Sequence, residues 1–304
     1  MKNRTIALML AALAWLAGAT GARAGQPQPL IDGRGREIAA ARPQRVVSLY
    51  GSYAEAWLLA GGALVGVTED AVSERGLDLP EDVQVIGSTK EPNLELVLAL
   101  DPDLVILSMD IQNQMAACET LEAAGVPCAA FRVDTYAEYA RMMQVFTALM
   151  ERPDLYQAQI PPMLAQIEQT IAAAKSREAP TALLIRAYST DAKAKGADNL
   201  AGVMLEDLGC VNIASKQPSL LEELTLEAIV AEDPDCIFVS VMGSDEDAAL
   251  AALDATLGQN PAWQGLSAIK AGRLYVLPKA LFHYKPNARW GESYAYLYNL
   301  LFEP

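Results

Sequence analysis

Nine consecutive residues, Phe282-His283-Tyr284-Lys285-Pro286-Asn287-Ala288-Arg289-Trp290, gather two cations, three aromatic rings and the chain's only histidine. Rings of this kind stack on a flat guest while Lys285 and Arg289 neutralise its charge, so the segment suits a flat, polar or anionic ligand. The competing reading is a capped turn, with Trp290 packed on the core and Arg289 solvated. His283 alone offers one metal bond, whereas a bare zinc or manganese site wants several histidines. Catalysis finds little support: there is no G-x-S-x-G elbow, H-E-x-x-H pair or Walker loop, and a single histidine leaves few general bases.

The elements that must hold this segment follow from the pattern of the chain. Short β-branched runs alternate with helical stretches, which predicts parallel α/β layers. In the first half the strands are Arg45–Leu49, Leu64–Val67, Val83–Ile86, Leu104–Leu107 and Cys128–Val133. Residues 136–178 carry helical pattern without a strand signal. Strands resume at Thr181–Ile185, Val211–Ile213, Cys236–Val239 and Leu274–Leu277, and a last helix runs from Ala288 to Leu301. Fifteen residues, Leu94 to Ser108, recur ungapped as Leu226 to Ser240, an offset of 132. Each copy reads as a short helix, a proline break and a buried strand ending in serine. Duplication into two α/β lobes (45–135 and 179–304) around a helical connector (136–178) follows.

Open α/β sheets hold ligands at the carboxyl ends of their strands. That rule nominates Tyr50, Ser52, Tyr53, Lys90, Met109 and Asp110 in the first lobe. In the second it nominates Arg186, Tyr188 and Met242, together with His283, Tyr284, Lys285, Arg289 and Trp290 of the opening segment.

Residues 1–24 begin with Lys2 and Arg4, continue through an apolar run Ile6–Ala17 and end in Ala22-Arg23-Ala24. The order reads as a cleaved secretory signal, its apolar run short of the ~20 residues that span a bilayer. An extended lead-in, 25–44, is rich in proline, glycine and arginine. Cleavage removes three cations and no acid, taking the formal charge from −15 to −18. A surface this acidic argues against nucleic acid or anionic lipid as partner. Cys118, Cys128, Cys210 and Cys236 form no C-x-x-C pair. Cys118 and Cys128 are close enough to pair across a helix–strand connection, and four buried free thiols is the other reading.

In this order, several segments resemble the class III periplasmic binding proteins of ABC importers for ferric siderophores, haem and cobalamin. They are Val46-Val47-Ser48, Leu64-Val65-Gly66-Val67, Asn93-Leu94-Glu95 leading into Asp101-Pro102-Asp103-Leu104-Val105-Ile106, Leu208-Gly209-Cys210-Val211-Asn212, and Gly272-Arg273-Leu274-Tyr275-Val276-Leu277. The resemblance implies two Rossmann-like lobes joined by one long helix, with the ligand in the cleft between them. It implies a monomer in the periplasm that captures a ferric chelate, needs no cofactor of its own, and delivers to a permease dimer in the inner membrane. Cobalamin or haem are alternative cargoes, haem being ligated by His283 or by Tyr50, Tyr188 or Tyr284; a ligand-sensing lobe for a membrane receptor is a further alternative. Glu95 and Glu227 occupy matching first helical turns after Asn93 and Thr225, where a carboxylate also complements the helix dipole. The resemblance gives them the role of docking to permease arginines, one per lobe. Pro161-Pro162 departs from the pattern, and a break near Ile160 is expected there.

Overall fold

The computed structural model describes residues 29–243 and 245–303. The expected signal segment 1–24 lies outside the described residues. No helix among those described is long and apolar enough to cross a membrane.

The first sheet contains β1 (Val46–Ser48), β2 (Gly66–Val67), β3 (Gln84–Val85), β4 (Leu104–Ser108) and β5 (Cys128–Phe131), all parallel in the order β3-β2-β1-β4-β5. The second contains β6 (Thr181–Ala187), β7 (Ala192–Ala194), β8 (Val211–Asn212), β9 (Cys236–Val241) and β10 (Leu274–Val276). Its parallel strands run β10-β9-β6-β8, which is the arrangement β5-β4-β1-β2 of the first sheet. The β7 hairpin is an addition that the sequence pattern did not signal. Ala192-Lys193-Ala194 has little strand propensity of its own and is held by antiparallel pairing to Ile185–Ala187.

Every residue of β1, β4 and β9 is buried, because helices cover both faces of a parallel sheet. The strand period of two then sorts the side chains. Val46, Leu104, Ile106, Leu184 and Phe238 face a common core with the connector and the last helix. Val47, Val105 and Leu107 line an outer cluster in the first lobe, and Leu183, Ile185 and Val239 line one in the second.

The connector comprises two helices, Tyr136–Leu149 and Pro153–Ala174. The expected break near Ile160 is absent. The interruption falls earlier, at residues 150–152, where Glu151 takes a left-handed φ of +55° and Pro153 opens the second helix. Pro161 and Pro162 lie inside that helix with both rings exposed. The carbonyls they leave without a donor belong to Gln157 and Ala158, which are also exposed, so water can satisfy them. Ile160, Met163 and Ile167 keep the buried face continuous.

The lead-in departs from an extended chain at Asp32–Arg36. The Asp32 carboxylate accepts backbone N–H groups of Arg34, Arg36 and Ala130, folding a turn over the edge strand β5.

The two copies of the repeat share more than their strands. Asp101 and Asp233 both take left-handed φ, +46° and +39°, before their prolines. Two residues later Asp103 accepts N–H bonds from Gln44 and Arg45 at 2.7 and 2.9 Å, where the chain enters β1. Asp235 accepts from the N–H and hydroxyl of Thr181, both at 2.7 Å, at the start of β6. One carboxylate thus ties the strand of each copy to the first strand of its lobe. Asp103→Ala and Asp235→Ala should each lower stability by about 1–2 kcal/mol in urea denaturation, since each frees a charge-assisted pair of bonds at a partly hydrated site.

Candidate ligand-binding cleft

The carboxyl ends of the two sheets are brought together by the segment that follows β10. In the first lobe, β1 delivers Tyr50, β2 the segment Thr68–Arg75 with its short helix Asp70–Ser73, β4 Asp110, and β5 leads to Asp134; Met109, also nominated, instead lines a first-lobe pocket with Ile31, Asp32 and Phe131. Asp70 fixes the first two against each other. It accepts from Gly51 N–H at 2.7 Å and from the Thr68 hydroxyl at 2.6 Å. A Cβ on Gly51 would lie 2.6 Å from Ala71 N, so glycine is what lets these loops touch.

The second lobe reaches across with His283–Arg289, after the helix Lys279–Phe282. The Lys285 ammonium donates to Asp134 Oδ1 at 2.8 Å and stands 3.9 Å from Asp110 Oδ2. Asn287 is fully buried at a left-handed φ of +51°, its amide donating to Ser52 O at 2.8 Å and Glu55 Oε2 at 2.6 Å. Glu55 pairs in turn with Arg75, whose side chain is only 7% exposed. Arg75 also donates to Lys285 O at 3.1 Å and stands 6.0 Å from the centre of the Tyr284 ring. Burial lowers the Arg75 pKa, and the paired Glu55 answers its charge. These ties brace the lobes.

A second group of side chains at this seam is left for a guest. Arg186, at the end of β6, has its Nε buried with no hydrogen-bond partner among the described residues. His283 is half-buried with its ring edge on Tyr284, centroids 4.8 Å apart. Burial, then the charges of Arg186, Lys279 and Lys285, push its pKa down to about 4, so the imidazole is neutral and keeps a lone pair. Burial raises Tyr50 and Tyr284 to about 12, so both remain phenols able to donate. Tyr188 in the β6–β7 turn and Met242 after β9 are half-buried at the carboxyl ends of their strands. The set offers a cation lacking an acceptor, a neutral imidazole and phenol donors. It can take an anionic guest rich in oxygen acceptors, and His283 is a ready neutral nitrogen ligand for a metal.

Several nominated residues have other employment. Tyr53 is wholly buried and its hydroxyl donates to Phe131 O at 3.1 Å, so it is a core residue under Tyr50. Trp290 is also wholly buried, opening the last helix against the connector. Ser52 is buried and contributes its carbonyl to Asn287. Arg289 is exposed and held by Glu292 through two bonds of 2.7 Å. Lys90 is exposed beside Leu94 and Asn113, in a groove lined by first-lobe residues alone. Sequence reading missed Glu55, Asp70, Arg75, Asp134 and Lys279. Asp70 and Asp134 follow strand ends and were within reach of the carboxyl-end rule; Glu55 and Arg75 carry no local signal.

A family model described as periplasmic binding protein matches residues 46–281. The Fe(3+)-citrate-binding protein YfmC of Bacillus subtilis is 25% identical over 80% of this chain and 76% of its own. The cobalamin-binding protein of Halobacterium salinarum is 28% identical over 69% of this chain, which spans 58% of that protein. A periplasmic heme binding protein from Pseudomonas aeruginosa, known as a crystal structure, is 27% identical with a TM-score of 0.68, covering 86% of this chain and 93% of its own.

The neutral state of His283 has a consequence for stability. Between pH 6.5 and about 4 the unfolded chain binds a proton there that the folded chain refuses. Stability should therefore fall as pH drops through that window and level off below it, by up to about 3 kcal/mol at this site. Thermal melts across pH 4–7 should show a shallower acid slope for His283→Gln than for the parent.

Proposed function

The chain belongs to the periplasmic binding protein family, and we propose that it captures a small ferric chelate of the siderophore type at the seam and hands it to an ABC importer. The observation that carries this reading is Arg186, a cation whose Nε is buried without an acceptor among the described residues where the strand ends of both lobes converge. A chelate with carboxylate or catecholate oxygens supplies that acceptor, and the phenols of Tyr50 and Tyr284 add donors. The Bacillus relative is named for ferric citrate, an anionic chelate of this chemistry. Iron is then cargo held by its chelator, the protein needs no resident cofactor, and the guest leaves chemically unchanged.

Members of this family are exported, and we place this protein in the periplasm as a monomer serving a permease dimer. Glu95 and Glu227 are exposed in the first turns of the equivalent helices Leu94–Ala99 and Leu226–Glu232. Asn93 caps the first helix through its side chain, while Thr225 holds the N-cap position without a side-chain bond. Leu96 and Leu98 follow Glu95 and Val230 follows Glu227, all more than 40% exposed, so each carboxylate has exposed apolar side chains on its own helix.

Haem is the second reading, favoured by the neutral imidazole of His283 and by the name of the Pseudomonas structure. Cobalamin brings no net negative charge to answer Arg186, and a sensory role would give the two glutamates no partner.

Calorimetric titration against a panel of ferric siderophores and ferric citrate should give nanomolar to micromolar affinity. Arg186→Met should weaken it about 10- to 100-fold, the worth of a charged hydrogen bond, without lowering the melting temperature. No binding across the panel, with a Soret band on hemin that His283→Ala abolishes, would establish the haem reading instead. In reconstituted vesicles, Glu95→Ala with Glu227→Ala should stop uptake and leave the dissociation constant unchanged.

A further inference from the structure

Cys118, on the helix Gln112–Ala123, and Cys128, which opens β5, are brought together in the first lobe away from the seam. Their sulfurs and a Glu122 carboxylate oxygen all lie within 4.8 Å of one another. Both cysteines are buried, Cys118 fully and Cys128 at 6% exposure. A surface pocket of about 240 Å³, lined by Arg34, Arg36, Glu122 and Cys128 among others, opens beside the pair, with Cys128 on its wall and Cys118 behind it.

Arg34 decides what this trio can do. Its Nη1 stands 3.0 Å from Cys118 Sγ and 2.8 Å from Glu122 Oε1. Its Nε is fixed on Asp32 at 2.7 Å and its Nη2 on Cys128 O at 2.9 Å. A guanidinium therefore already occupies the place of a bridging cation, and three donors beside a fixed positive charge make a poor zinc site. The same charge favours a thiolate. The Cys128 thiol hydrogen bond and Arg34 lower the Cys118 pKa, while its bond to Cys118 and burial raise that of Cys128. One sulfur is a nucleophile and the other its proton-bearing neighbour. Cys210 and Cys236, in the second lobe, are raised by burial and have no such cation bonded to them.

We propose that Cys118 and Cys128 are a redox pair that closes into a disulfide, fastening the helix Gln112–Ala123 to edge strand β5, with Arg34 activating Cys118. The oxidant is a low-molecular-weight or protein disulfide of the kind found in oxidising compartments. The Cys118 thiolate attacks one of its sulfurs, breaking that S–S bond and releasing a thiolate. Cys128 passes its proton to the Glu122 carboxylate and attacks the Cys118 sulfur of the mixed disulfide, expelling the second thiolate. Glu122 returns the proton to it. Two electrons leave the cysteine pair and reduce the oxidant to two thiol groups.

The test is independent of location and of cargo. Reduced, purified protein is equilibrated in glutathione buffers of defined ratio, denatured under acid quench, alkylated and mapped by mass spectrometry. The expected result is a Cys118–Cys128 linked peptide with Cys210 and Cys236 alkylated, and a melting temperature roughly 5 °C above that of the reduced protein. Arg34→Met should slow closure several-fold and Arg34→Lys should restore it, a pattern that loss of packing alone would not give. Cys128→Ser should melt identically in both buffers. Four alkylated cysteines at oxidising ratios, a link through Cys210 or Cys236, or stoichiometric zinc retained by the reduced protein and lost in Cys118→Ser would each overturn the proposal.

Discussion

A guanidinium taken out of water must be answered by charge and hydrogen bonds, and Arg75 imposes that condition on the whole molecule. Left without a partner at 7% exposure it would cost several kcal/mol. Its counter-charge, Glu55, comes from its own lobe, but the set is completed from the other. Lys285 supplies a carbonyl, Tyr284 a ring, and Asn287 an amide that holds Glu55 in place. The second lobe therefore supports an ion pair of the first, leaving only Arg75 Nε without a partner among the described residues, and Lys285 repeats the arrangement in reverse by placing its ammonium on Asp134. Arg75 and Arg273 each leave an Nε unbonded but engage their other nitrogens, whereas the half-buried Arg186 makes no side-chain hydrogen bond or ion pair among the described residues. That contrast separates bracing from binding in a segment where both kinds of residue look alike.

The brace acts together with a common core. Tyr139, Met143 and Phe146 of the first connector helix, Ile160 and Ile167 of the second, and Trp290, Tyr294 and Leu297 of the last helix belong to one buried cluster that also takes side chains from both sheets. The Tyr294 hydroxyl is further bonded to Asp207 in the second lobe. A large hinge opening would have to expose this cluster as well as break the ion pairs. The proline pair does not loosen it, because the bonds it removes lie on the solvent side of a helix whose inner face is unbroken.

What the sequence made legible was whatever repeats or alternates. The β4 and β9 strands were readable because fifteen residues recur without a gap, and continuous apolar runs mark strands buried on both faces. The cleft was readable only in part. Aromatic and basic residues crowd Phe282–Trp290 for two reasons at once, and residue type does not distinguish them: Trp290 fills the core, Arg289 closes a surface pair, Lys285 and Asn287 bind the lobes, and His283 and Tyr284 face the seam. Arg75 and Glu55 were invisible because their partners across the seam are more than two hundred residues away in the chain. The connector was misjudged for a different reason. A proline in a helix removes a bond to the carbonyl four residues back, and whether that matters depends on which side of the helix the carbonyl faces.

The duplication also gives the proposed importer role a route through each lobe. In both copies the exposed glutamate heads a short helix, the helix ends at a left-handed aspartate, and the next strand runs to the carboxyl edge where the cleft lies. Glu95 is thereby joined through β4 to Met109 and Asp110, and Asp110 stands beside Lys285 of the brace. Glu227 is joined through β9 to Met242, and the neighbouring Gly243 carbonyl accepts from Lys279. A permease that grips the two glutamates and moves them apart would pull on strands that end at the brace and at the ligand groups. Release then requires only that paired charges at the seam be separated and hydrated, which suits a molecule whose core resists wide opening.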